Sequence, residues 1–129
     1  MSYLHHNCDI WADSITESSA PFILTSIPME PGSTCALRAQ VIACATDGTS
    51  AFWEVAGLVK RVGANAVQSV DGFVKSFSPR RDSAAAQWDT DFYVEGDCFH
   101  IRVIGDSGKK VYWTWRLEAH GMKHSQTHL

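Results

Sequence analysis

The chain has 129 residues, a formal net charge of -3 at pH 7, 45% hydrophobic residues and 19% charged residues. This length and composition predict one globular domain with its own core and exclude a disordered chain. The acidic balance argues against a nucleic-acid-binding protein, because phosphate recognition usually requires a basic face.

The first 20 residues contain large apolar side chains but no sustained hydrophobic period. Ile10, Trp11 and Ile15 are too apolar for a simple spacer, so this segment needs a surface to lie on. We interpret residues 1–20 as an extended N-terminal arm. Its three apolar residues are the candidate contacts with a partner, since large aromatic side chains are enriched at binding hot spots.

Residues 21–61 predict an edge strand followed by a hairpin. The segment 21–29 is bracketed by prolines, which places it at the edge or end of a sheet. Residues 33–45 alternate cleanly between apolar and polar, the Asp47-Gly48 turn follows, and residues 50–61 return. A helix over 50–61 also fits the apolar spacing, but an internal glycine makes it less favourable than the hairpin. The core face of the first hairpin strand is predicted to consist of small and medium side chains: Cys35, Leu37, Ala39, Val41, Ala43 and Ala45.

Residues 66–77 predict a weaker strand with a bulge at Asp71-Gly72. After a polar stretch, the last third of the chain is rich in β-branched and aromatic residues. Its final two strands, 99–103 and 111–118, each have one apolar face, and the turn residues between them predict that they form a hairpin.

Turn signals at intervals of about 8–12 residues indicate an all-β protein, a single-domain antiparallel β-sandwich or barrel of the jelly-roll-like kind. We assign this domain to residues 21–119. Residues 1–20 and 120–129 are the extended N-terminal arm and C-terminal tail. No apolar run approaches the roughly 20 residues of a membrane helix, so we expect a soluble protein without a membrane partner.

The cysteines are predicted to be free thiols rather than disulfides or metal ligands. They lack CxxC spacing, and two of them fall on opposite faces of one strand. Neighbouring His5 and His6 also point apart on an extended chain, so no metal site is predicted. The four cysteines are Cys8, Cys35, Cys44 and Cys98.

No motif that links residue spacing to a catalytic mechanism is found, including GxSxG, HExxH and the P-loop. His100 is interpreted as a surface histidine of a strand, and Arg116 is expected to pack its stem along the sheet or to pair with Asp91. We therefore predict no catalytic residues, no cofactor and no enzymatic activity. The following acids are interpreted as the solvent side of a strand and its turn, in preference to a calcium site or a carboxylate pair: Asp89, Asp91, Glu95 and Asp97.

Two stretches carry a resemblance to a known family: TCALRAQVIACATDGTSAFWEVAGLVKRVGANA and WDTDFYVEGDCFHIRVIGDSGKKVYWTWRLEA. Together they resemble a β-module of tailed-bacteriophage structural proteins, found in short virion proteins and within longer tail-fibre chains. The "GLVKR" return and the closing "IGDSGKKVYWTWRLE" are the most similar pieces. The likeness covers roughly residues 33–119, while the loop SPRRDSAAAQ and the cysteines depart from the pattern.

The resemblance implies a compact non-enzymatic virion protein, commonly a homotrimer. The short length favours a capsid decoration (cement) protein, made in the host cytoplasm, whose arms bind the major capsid protein on the outer capsid surface. The alternative is a tail-associated receptor- or carbohydrate-binding module in which Trp88 or Tyr112 stacks on sugar rings. A small hydrolase is the third and least favoured hypothesis.

Overall fold

The computed structural model describes residues 8–75 and 79–124. Over these residues the chain forms nine β-strands and one short 3-10 helix, and no helix there is long and apolar enough to cross a membrane. The 3-10 helix is Ser83–Ala85. The strands are β1 Cys8–Thr16, β2 Phe22–Pro28, β3 Ser33–Ala45, β4 Ser50–Arg61, β5 Gln68–Lys75, β6 Arg80–Arg81, β7 Asp89–Glu95, β8 Cys98–Ile104 and β9 Val111–Lys123.

The strands form two antiparallel sheets that pack as a sandwich, which confirms the predicted all-β class. The larger sheet has the order β1-β9-β3-β4-β5, with the short β6 also paired to β4. The smaller sheet has the order β2-β8-β7, and its proline-bracketed strand lies at the edge as expected. Aromatic contacts join the two sheets through the core, as between Phe73 of β5 and Phe92 of β7, whose ring centroids are 5.4 Å apart.

The core is organised around β3, because the small inward side chains of this strand leave room for tryptophans. Val41 lies beside Trp53 of β4, and Ala43 lies beside Trp113 of β9. The two indoles stack over β3 with their centroids 5.7 Å apart. Buried and more exposed residues alternate along the whole length of β3, and the odd-numbered residues are the buried ones.

The β3–β4 hairpin and the bulge in β5 follow the sequence-based predictions. The segment 50–61 is a strand and not a helix. In β5, the pairing moves from Gly57↔Phe73 to Leu58↔Val70, so Asp71 and Gly72 are bulged out, both with positive φ. A positive φ suits glycine, which has no Cβ. Asp71 is the one non-glycine residue with positive φ among the described residues.

The predicted final hairpin was wrong, since β8 and β9 lie in different sheets. Residues 105–110 carry the chain across the sandwich instead of turning it back on itself. The crossing passes very close to β1: a Cβ added at Gly105 would lie 2.6 Å from Thr16 Oγ1. Position 105 therefore requires glycine, because there is no space for a Cβ atom. The alternation of apolar and polar residues along the strands does not predict this requirement.

Large parts of both chain ends that were assigned to extended arms, residues 8–16 and 120–123, are strand residues of the larger sheet. Residues 8–16 form β1, which pairs with β9 from Cys8↔Ala119 to Thr16↔Val111. The last strand continues past residue 119 and pairs with β3 as far as Ser33↔Lys123. Residues 1–7 and 125–129 of the predicted arm and tail lie outside the described residues.

The loop that crosses between the sheets is tied to the β3–β4 turn by Asp47. Its carboxylate accepts hydrogen bonds from the Thr49 backbone N–H at 3.0 Å and from Lys109 Nζ at 3.1 Å. The hydrogen bond from the Thr49 backbone is the main cause that lowers the pKa of Asp47 to about 2, and Lys109 adds to the effect.

We expect the Asp47→Asn variant to lose an acid-dependent part of the stability. The folded-state pKa of Asp47 is lower than its unfolded value of about 3.9, so its contribution is complete above about pH 4. That contribution is lost as the pH falls through about 2. Thermal unfolding between about pH 6 and pH 2 should show the two proteins converging in acid. Parallel curves for both proteins would contradict this role of the carboxylate.

Candidate functional site

The outer face of the larger sheet carries a group of large hydrophobic side chains that the core does not cover. Trp11 is 69% exposed, Ile15 53%, Ile42 50% and Tyr112 39%, and Phe52 beside them is half-buried. We call these five residues the outer patch. A clustered apolar surface is unusual for an isolated soluble domain and commonly marks a binding surface.

The strand register arranges the outer patch and the side chains around it in three cross-strand rows, each two residues from the next along the strands. The first row is Ile15, Tyr112, Cys44 and Ser50; the second is Asp13, Thr114, Ile42, Phe52 and Arg80; the third is Trp11, Arg116, Gln40 and Glu54. Members of one row come from β1, β9, β3 and β4, and Arg80 comes from β6. With neighbouring strands about 4.8 Å apart, the first four columns span about 14 Å.

The polar side chains around the outer patch are paired within the chain. Arg116 donates two hydrogen bonds to Asp9, at 2.9 and 2.7 Å, and Gln40 donates to Glu54 at 3.0 Å. The hydrogen bond from Arg116 lowers the pKa of Asp9, and the same contact raises the pKa of Arg116. These contacts pair the polar side chains at the rim with one another.

The pairing of Arg116 differs from the sequence-based expectation. Its partner is Asp9 on β1, while Asp91 pairs with Arg102 on the neighbouring strand of the smaller sheet at 2.8 Å. The partner differs because the strands of Arg116 and Asp91 belong to different sheets. Arg116 lies on β9 in the larger sheet, so Asp91 on β7 is not on a neighbouring strand.

Two depressions in the surface follow the outer patch and meet at Ile42 and Thr114. The first depression is lined by aromatic rings together with planar polar groups. The second depression is lined by aliphatic, thiol and phenol groups. The lining residues of the first include Trp11, Gln40, Phe52 and Arg116, and those of the second include Asp13, Ile15, Cys44 and Tyr112.

The structure brings three of the five predicted binding residues together. Trp11 and Ile15, proposed as contacts of an arm, lie on the same face as Tyr112, proposed for sugar stacking. Ile10 has the opposite parity and packs against the core. Trp88 is only 1% exposed and its indole N–H donates to Asp106, so the proposal that it stacks on a sugar was wrong.

Ile42 and Phe52 were missed by sequence reasoning. Each lies on the solvent parity of its strand, next to a buried alanine of the core parity. An apolar residue at a position where alternation predicts a polar one is the signal that identifies them.

Cys44 lies beside the outer patch, whereas Cys35 on the same strand points into the core. The two faces agree with the opposite parities predicted from the sequence. Cys44 and Cys98 are free thiols, and burial raises the pKa of the Cys98 thiol.

The outer face of the smaller sheet carries a group of polar and aromatic side chains. The rings of Tyr93 and His100 stack at 4.6 Å, and the guanidinium of Arg102 lies 4.8 Å from the Tyr93 centroid. His100 also shares a hydrogen bond of 2.7 Å with Ser26. His100 therefore lies on the surface as expected. Across residues 8–75 and 79–124, no group of three or more His, Cys, Asp or Glu side chains is arranged to hold a metal ion.

No protein-family model and no curated protein matches the sequence. The solved structures that are similar in part include two phage tailspike proteins. The Acinetobacter baumannii phage AM24 tailspike protein has a TM-score of 0.49 at 10% identity, over 88% of this chain and 26% of that one. The Acinetobacter phage vB_ApiP_P1 tailspike protein has a TM-score of 0.37 at 15% identity, over 95% of this chain and 23% of that one. This chain spans about a quarter of each, and similarity at this level assigns neither a family nor a function.

Proposed function

We propose that this chain is a structural module of a tailed-bacteriophage particle that belongs to the tail and binds a partner protein through the outer patch. The observation that carries the binding role is the outer patch itself, five large side chains gathered on one face of the larger sheet. The phage assignment rests on the resemblance of residues 33–119 to the β-module described above.

The tail is preferred to the capsid surface because a decoration protein of the expected kind would bind neighbouring capsid subunits through extended arms. Residues 8–16 and 120–123 are strand residues in the larger sheet. Their backbone groups already bond to β9 and β3, so these residues are not available to extend over neighbouring capsid subunits. A module of this kind instead presents a preformed face.

The chemistry of the outer patch favours a protein over a small ligand. Protein interfaces combine an apolar centre, depleted of charge, with a polar rim. Ile42 supplies exposed aliphatic surface at the centre, Ile15 adds to it on the edge strand β1, and the ion pair Arg116–Asp9 lies at the rim. Aromatic residues such as Trp11 are common hot spots in such interfaces.

The test is co-sedimentation of the purified protein with isolated phage tails and, separately, with empty capsids. We expect binding to tails, and we expect Ile42→Ser to weaken it by about tenfold or more, since the change removes a central apolar contact. The matched control is Ile23→Ser on β2, where the side chain has a similar exposure of 45%. Binding to capsids alone, or equal effects of the two variants, would overturn the proposal.

A second candidate is a receptor- or carbohydrate-binding module at the tail, favoured by one observation. The Trp11 ring is the most exposed of the large hydrophobic side chains described, and Gln40 and Arg116 beside it offer planar hydrogen-bonding groups. Such a ring stacks well on the apolar face of a sugar. Glycan-array signals that disappear in Trp11→Ala and Tyr112→Ala would support this candidate, and a blank array would remove it.

A further inference from the structure

We infer that the partner at the outer patch is a second copy of this chain, packed face to face about a two-fold axis that runs along β3. The inference rests on the proposed function, because it names the partner of the same surface. It commits to a dimer in place of the homotrimer that the sequence resemblance implied.

The strand order makes β3 the middle column of the outer patch. In the second row the columns are β1, β9, β3, β4 and β6. A two-fold axis parallel to β3 and lying between the two faces places the second copy face to face with the first. Across the interface, β1 of one copy then lies opposite β6 of the other, and β9 lies opposite β4. Each residue of a row then faces the residue at the mirror-related column of the other copy, and each contact away from the axis occurs twice, as isologous symmetry requires.

The second row is complementary to itself under this operation. Asp13 on β1 faces Arg80 of the second copy on β6, which joins opposite charges at both ends of the row. Between them, Thr114 faces Phe52 and Ile42 on β3 faces its own copy. The row therefore has an apolar centre with one ion pair at each end.

The third row is complementary in the same way, with the signs of the charges exchanged. Arg116 on β9 faces Glu54 of the second copy on β4, and Gln40 on β3 faces Gln40. A row with charges of opposite sign on either side of β3 always meets its own image with attraction. Two adjacent rows share this property, and complementary charge sets partner choice and orientation.

The ion pair that Arg116 already makes within the chain does not oppose this arrangement. The ion pair of Arg116 with Asp9 is exposed, and exposed pairs contribute little to stability. One row further along β3, Arg38 would face Arg38, but each is paired with its own Glu118 at 3.6 Å. The two like-charged Arg38 side chains would repel each other, so we place the end of the interface at this row.

The size of the patch predicts a reversible dimer. The three rows, which have four, five and four columns, span roughly 19 Å by 14 Å at the widest, which is smaller than the interface of an obligate dimer. We therefore expect dissociation on dilution.

The first measurement is the mass of the wild-type protein by sedimentation equilibrium over a wide concentration range. We expect a monomer–dimer equilibrium. Asp13→Arg and Arg80→Asp should each raise the dissociation constant by about tenfold or more, because each places like charges opposite one another. The double variant should restore dimerisation, since it exchanges the two charges. Thermal unfolding of each variant checks that the fold is retained.

The second measurement uses Cys44, which lies on β3 in the first row and would face Cys44 of the second copy. A short bis-maleimide should crosslink these two thiols, identified by mass spectrometry of the joined peptides. Cys44→Ser should abolish this product, while Cys98→Ser should not.

The outcomes separate this inference from the proposed function. A monomer at all concentrations, a trimer, or failure of the double variant to restore the dimer would overturn the inference. A monomer that still binds tails through Ile42 would overturn it and leave the proposed function standing. A dimer joined at Cys44 that does not bind tails even at concentrations where it dissociates would support the inference and overturn the proposed function.

Discussion

Replacing Trp113 by alanine is expected to lower the free energy of unfolding by about 3–5 kcal/mol, the usual cost of removing a buried aromatic side chain. Trp113 is fully buried and stacks on Trp53 over β3. Its ring also lies 6.4 Å from that of Trp88, which precedes the first strand after the 3-10 helix. Removal of this ring leaves a cavity where the two sheets meet the crossing loop.

The indole N–H of Trp113 makes a second, separable contribution. It donates to Thr16 Oγ1 at 2.9 Å in the interior, 97 residues away in the chain. Thr16→Val keeps the shape and removes the acceptor, so we expect a loss of about 1–3 kcal/mol from the unpaired buried donor.

Urea unfolding followed by circular dichroism measures both variants. Trp11→Ala is the matched control, since it makes the same chemical change at a position that is 69% exposed. We expect that control to lose less than about 1 kcal/mol. Equal losses for Trp113→Ala and Trp11→Ala would contradict the description of the core.

Replacing Gly57 by alanine is expected to destabilise the protein by about 1–3 kcal/mol, as overpacking of a core does. Alanine would ordinarily be favoured over glycine inside a strand, because it loses less conformational entropy on folding. Here a Cβ would lie 2.2 Å from Phe73 Cδ1 and 2.7 Å from Cε1. The ring must move, although it is held against Phe92 and Phe99 at centroid distances of 5.4 and 5.9 Å.

A double-mutant cycle with Phe73→Ala tests this cause directly. Without the ring, the space above Gly57 is free, so Gly57→Ala should become neutral or stabilising in the Phe73→Ala background. Urea unfolding of the four proteins gives the coupling free energy. The same cost of Gly57→Ala in both backgrounds would show that the ring is not responsible.

The contact has a structural consequence that the cycle also measures. Phe73 lies on β5, the edge strand of the larger sheet, and its ring packs on residues of the smaller sheet. Gly57 on β4 leaves room for this ring to lie across the strand. The pair therefore fixes the edge strand to the opposite layer of the sandwich.

The sequence by itself determined the strands with strong local patterns and the fold class. Alternation along residues 33–45 predicted both the length and the buried face of β3, because side chains alternate between faces in every β-strand. The Asp47-Gly48 turn predicted the hairpin, and Asp71-Gly72 predicted the bulge. These features depend on a few neighbouring residues, so local chemistry is sufficient to predict them.

Only the tertiary structure decided which strands are neighbours. Alternation fixes the face of a residue but not the sheet in which its strand lies, so β8 and β9 were expected to form a hairpin and lie instead in different sheets. The same limit explains the partner of Arg116 and the position of residues 8–16, whose pairing with β9 joins opposite ends of the chain.

The candidate site shows the limit most clearly. Trp11 and Trp88 are equally apolar in sequence, yet one is exposed at a sheet edge and the other is buried beside the crossing loop. Ile15, Ile42 and Tyr112 come from three separate segments and form one surface only because β1, β9 and β3 are adjacent. The pairing of distant strands assembles this surface, and local sequence patterns carry no information about such pairing.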